Sequence, residues 1–142
     1  MENVKPSSWM LMGGGLVLLI STFLDWVSVS AGGFDFGENA WDTDFFGLLG
    51  IICALIGLLV GGGVAAQTFG KVNMPDRVLG FTHDQIHLIL GCEAFVITFG
   101  LVFRGDVGIG LWLGLVSAVV ITAGAYMDLK ADAPESAAPT QF

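Results

Sequence analysis

Charge is what this chain has least of. Of its 142 residues only 13% are Asp, Glu, Lys or Arg, where an ordinary soluble domain carries roughly 25%. Cations are the scarcer sign, five Lys and Arg against thirteen acids. So few cations cannot form the clustered basic surface that phosphate binding needs, which sets nucleic acid aside as a partner. The only two cysteines, Cys53 and Cys92, do not form a C-x-x-C pair, so a membrane thiol oxidoreductase is not indicated. The two histidines lie together at the edge of one apolar stretch, and no second stretch supplies a partner for haem. No cofactor is expected, and no catalytic constellation marks the chain as an enzyme.

Hydrophobic residues are abundant instead, at 54% of the chain with a mean hydropathy of +0.79. They fall in four long runs that place spans at about 8–26, 45–66, 86–103 and 107–127. Runs of ~17–25 residues match a hydrocarbon layer ~30 Å thick. A soluble bundle of buried helices would need polar faces, and these runs have almost none. The expected fold is an all-α, four-transmembrane-helix bundle over residues 1–128, followed by a disordered cytoplasmic tail over 129–142. The first run is read as an uncleaved helix: a single lysine precedes it, and the run exceeds the ~7–15 apolar residues of a signal peptide.

Basic residues set orientation. With the N-terminus inside, Lys5, Lys71, Arg77 and Lys130 are cytoplasmic and only Arg104 is outside, so both termini are expected in the cytoplasm. Trp9 and Tyr126 then mark the inner interface and Trp26 and Trp112 the outer one. In the first outer loop, Val27-Ser28-Val29-Ser30 alternates apolar with polar and Gly32-Gly33 can turn the chain into Phe34-Asp35-Phe36, which predicts a short β-hairpin. Asp35, Glu38, Asp42 and Asp44 are hard oxygen donors, but their spacing is not that of a calcium loop. A solvated acidic surface is expected there.

Glu93 is the one charge deep inside a span. An acid at that depth is costly unless it is protonated, paired or hydrated, so it is the leading candidate for a functional residue. Counting at 1.5 Å per residue from His87 puts it roughly 9 Å into the bilayer, level with Gly13, Gly14 and Gly15 of the first span, Gly57 to Gly61 of the second and Thr122 of the fourth. Small residues allow close helix packing, and Thr122 is the expected hydrogen-bond partner. At the outer helix ends, Asp25 and Arg104 are placed to pair. His83 and His87, four apart on one helix face, are weak zinc candidates: H-E-x-x-H spacing is present, but Asp84 stands where a general base would be and no third ligand follows. Thr82 or Asp84 is expected to cap that helix.

Phe23-Leu24-Asp25-Trp26, Asn39-Ala40-Trp41-Asp42 and the run from Leu79 to Leu88 (LGFTHDQIHL) resemble small four-span membrane proteins of high-GC Gram-positive bacteria. The resemblance implies a multi-pass plasma-membrane location, the bacterial inner membrane, and transfers no catalytic residues. Small multidrug transporters also have four helices and one membrane glutamate, but theirs is in the first helix; double-length rotary ATPase proteolipids carry their carboxylate in the last. The sequence therefore points to an accessory or scaffold subunit embedded in the lipid bilayer, acting as a homo-oligomer or within a larger membrane complex. The alternative is an oligomeric transport subunit that uses Glu93 for protons, cations or a small solute.

Overall fold

The computed structural model describes residues 4–42, 48–75 and 77–132. In chain order these form helix α1 (Pro6–Ser21), strands β1 (Asp25–Ala31) and β2 (Phe34–Asn39), helix α2 (Leu49–Phe69), strands β3 (Arg77–Val78) and β4 (Phe81–Thr82), and helices α3 (His83–Val102) and α4 (Ile109–Asp132). Three helices, α2, α3 and α4, are long and apolar enough to cross a membrane, and α1 is a shorter apolar helix of 16 residues.

The first helix is shorter than the run 8–26 suggests. Its end is set by Ser21 and Thr22, whose hydroxyls donate to the carbonyls of Leu18 and Leu19 at 2.6 Å each and so compete with the backbone ladder. The chain then turns through Phe23 and Leu24 into β1. At about 24 Å, α1 is short of the ~30 Å hydrocarbon layer. The other bounds shift too: α2 runs to Phe69, α3 begins at His83, and α4 continues helical to Asp132. Residues 129–132 of the expected tail are therefore helix. Residues 133–142, like Asp44, lie outside the described residues.

Helix α4 is the centre of the bundle, with α1 and α3 packed against it and α2 packed on α1. α2 meets α3 through its first half, Leu49–Gly57. Leu11, Leu18, Val60, Ala94, Leu111 and Ile121 form the middle of the core. The Gly13–Gly15 triplet serves three directions, because successive residues turn by about 100°. Gly13 has open space around it, Gly14 faces Ile121 and Ser117 of α4, and Gly15 faces Gly57 and Gly61 of α2. At that crossing α2 widens into a π turn, Leu58–Gly62.

The β1–β2 hairpin turns where expected. Gly32 and Gly33 both have positive φ, 62° and 85°, the pattern of a two-residue type I′ turn, and Ala31 pairs with Phe34. The hairpin caps one end of the bundle. Val27 bridges to Val107, the Ser28 amide donates to the Asp106 carbonyl, and the Ala40 amide donates to the Thr22 carbonyl. A second hairpin, β3–β4, was not foreseen; Leu79 and Gly80, both at positive φ, form its turn.

Trp26 overturns its assignment to an interfacial aromatic belt. It is fully buried, at 0% exposure, and its indole N–H donates to the Ser21 carbonyl at 2.8 Å. Gly110 and Gly114 of α4 leave room for the ring: a Cβ on either would lie 2.8 and 3.5 Å from indole carbons. That G-x-x-x-G pair therefore holds a tryptophan plug beneath the hairpin.

Candidate functional site

Glu93 sits at the middle of α3, the eleventh of twenty residues, about 15 Å from the helix start. It does not enter the glycine layer. Gly91 faces α4 instead: a Cβ there would meet the Thr122 hydroxyl oxygen at 2.7 Å. Two residues further on, the helix has turned about 200°, which carries Glu93 to the outward face, where it is exposed. Thr122 is not its partner, since that hydroxyl donates to the Ala118 carbonyl at 2.8 Å. Glu93 lies near enough to Cys53 of α2 for the two groups to interact electrostatically, and it has no hydrogen-bond or ion-pair partner among the described residues.

The surroundings of Glu93 are ordered. Ile89, Glu93, Val96, Gly100 and Phe103 are all exposed and follow one another at spacings of four, three, four and three. That alternation is the repeat of a helix–helix seam. A Cβ on Gly100 would meet nothing within 4 Å, so a second backbone has access there. α3 is also the least covered of the three long helices, with 28% of its apolar window buried against 44% for each of the others.

The end of the bundle opposite Trp26 holds a polar cavity of about 350 Å³. All four helices contribute: Ser8 from α1, Gln67 and Thr68 from α2, His83, Asp84 and His87 from α3, and Asp128 from α4, with Lys5 at its edge. Local chemistry places these groups. Thr82 caps α3 through a reciprocal capping box with Gln85, and Asp84 in the first turn complements the positive end of the helix dipole. The Ser7 hydroxyl donates to the Asp128 carboxylate, tying the start of α1 to the end of α4.

The two histidines diverge. His83 Nε2–H donates to the Pro75 carbonyl at 2.6 Å. His87 is only 8% exposed, and its Nδ1 is buried with no hydrogen-bond partner. Among the described residues no three His, Cys, Asp or Glu side chains are grouped to hold a metal ion.

Of the described acids of the first loop, Asp35 and Glu38 lie on β2 and Asp42 follows it. The Asp25 carboxylate lies over Gly37 and begins β1, while exposed Arg104 follows α3. Ser30 Oγ donates to Asp35 at 2.6 Å across the strands. Asp42 hydrogen-bonds to Glu38, and that bond, followed by the Asp42 charge, pushes the Glu38 carboxyl above its ordinary range.

The sequence reading missed Asp128 and Ser7 as parts of a polar site. One signal was present: Ile121, Ala125 and Asp128 share a helix face by spacing, and the first two are fully buried. Comparison with protein-family models, curated proteins and solved structures finds no match to this chain.

Proposed function

We propose that this is a four-span plasma-membrane protein with cytoplasmic termini that works through protein contacts. In this reading two copies pair along the Glu93 face of α3, and the pair serves as an accessory or scaffold subunit. The observation that carries it is the outward position of Glu93 at the midpoint of an apolar helix, with no hydrogen-bond or ion-pair partner among the described residues. Ionisable groups within membrane helices face protein or water because exposure to lipid costs several kcal/mol. A twofold interface is self-complementary. A protonated carboxyl has one donor and spare acceptor capacity, so two Glu93 side chains meeting across the axis satisfy each other. The open space at Gly100 lets the partner helix approach.

Transport through a single copy has less support. Gly15 of α1 and Gly57 and Gly61 of α2 are packed backbone to backbone, and Trp26 fills the hairpin end of the bundle. Glu93 is outside that interior, so a pathway using it would have to run between copies.

Cross-linking tests the pairing. In a background with Cys53 and Cys92 replaced by Ser, Val96→Cys is expected to form an oxidative dimer in membranes, and Val116→Cys on the exposed face of α4 is not. Membrane interhelical hydrogen bonds contribute roughly 0.6–2 kcal/mol, so Glu93→Leu should weaken the dimer about 3–30-fold while Glu93→Gln largely retains it. Equal cross-linking from both cysteine positions, with no effect of Glu93→Leu, would refute the interface.

A further inference from the structure

The cavity at the His87 end contains more hydrogen-bonding capacity than the protein uses. His87 is more than nine-tenths buried and lines the cavity, and its Nδ1 has no hydrogen-bond partner among the described residues. Asp128, 9% exposed, receives a hydrogen bond from Ser7 on one carboxylate oxygen, Oδ1. A carboxylate has about four acceptor positions, so Asp128 has acceptor capacity to spare. The volume, about 350 Å³, falls within the range of small-molecule sites.

Charge selects the class of occupant. Asp128 brings a carboxylate with unused acceptor positions into the lining and Lys5 a cation, which suits a guest with a positively charged N–H donor group. The donors do not converge in the way an inorganic ion requires: among the described residues no group of three His, Cys, Asp or Glu side chains could hold a metal. Acceptors spread over such a space suit a polyatomic cation whose N–H groups point in several directions.

We propose that this cavity binds a primary ammonium group on a small polar molecule, with N–H donated to Asp128 and to the His87 ring. Lys5 at the edge suits an anionic oxygen on the same molecule, which makes the ligand a zwitterion of the phosphoethanolamine type. Its source is either a lipid headgroup, reached because the cavity lies at the end of the apolar helices, or a soluble amine.

The test uses the full chain and reads thermal unfolding in two settings. In nanodiscs, phosphatidylethanolamine is compared with phosphatidylcholine at a fixed content of anionic lipid. In detergent, O-phosphoethanolamine is compared with phosphocholine. The choline forms carry the same charge but have no ammonium N–H to donate. A higher melting temperature with the ethanolamine lipid alone identifies the headgroup, and one with soluble O-phosphoethanolamine identifies a free ligand; both support the site. His87→Gln and Asp128→Asn should each weaken binding about tenfold or more, as expected for a hydrogen bond to a charged group. If Asp128→Asn does not fold, the wild-type comparison and His87→Gln still decide. Equal responses to ethanolamine and choline forms in both settings, or none, would mean that the cavity holds only water and overturn the proposal.

Discussion

Gly15 and Gly61 touch backbone to backbone: a Cβ on Gly15 would lie 2.5 Å from the Gly61 amide nitrogen and 2.8 Å from the Gly57 carbonyl oxygen. No rotamer change relieves such an overlap, because the atoms it meets are main chain. The π turn at Leu58–Gly62 lies at this contact, so α1 and α2 are fitted to each other at their closest point.

Gly15→Ala is therefore expected to destabilise the protein by about 1–3 kcal/mol, the usual cost of overpacking. Gly13→Ala, two positions away and with nothing within 4 Å of the added carbon, should be neutral or slightly stabilising, because alanine is the better helix former. Thermal melts of the two variants in one detergent separate a packing glycine from a solvent- or lipid-facing one. Equal melting temperatures would refute the close contact.

The Trp26 plug gives a second prediction. Trp26→Ala removes a fully buried indole and its hydrogen bond to Ser21, and large-to-small changes of this kind cost about 3–5 kcal/mol. The loss should be local as well as global, because the hairpin is seated by Trp26 and the neighbouring backbone bonds. Faster hydrogen exchange at β1 and β2 than in α4 would show the cap lifting, and unchanged exchange there would count against its role.

Acid should strengthen the hairpin. Glu38 titrates above its ordinary range, first because of its hydrogen bond to Asp42 and then because of the Asp42 charge. A carboxyl whose folded value is raised holds its proton more tightly in the folded state. Its stabilising contribution is complete below the ordinary Glu value and is lost as pH rises through the raised one. Hairpin unfolding, followed by Trp41 fluorescence, should shift to lower temperature as pH increases across that window. Glu38→Gln should flatten the dependence, and a wild-type profile with the opposite slope would contradict the assignment.

Several parts of this protein were legible from local chemistry. Gly32-Gly33 between alternating residues specifies a tight turn through its dihedral freedom, and Thr82 with Gln85 specifies the start of α3 through the hydrogen bonds they exchange with the backbone. The apolar runs specify helices suited to a membrane. The second hairpin was hidden because Leu79 occupies a left-handed turn position usually filled by glycine or asparagine.

The amino-acid order thus determined how many apolar helices form, roughly where they lie, and that one of them carries a lone acid. Only the tertiary structure decided which way that acid points. In a soluble helix polarity distinguishes the buried face from the exposed one, but lipid and protein core are equally apolar, so α3 looks much the same from every side in its sequence. Packing settled the question: Gly91 fits against Thr122, and that contact turns Glu93 outward. The polar cavity likewise exists only after folding, when Ser7, His87 and Asp128, ordinary helix-end residues along the chain, are brought to one end of the bundle.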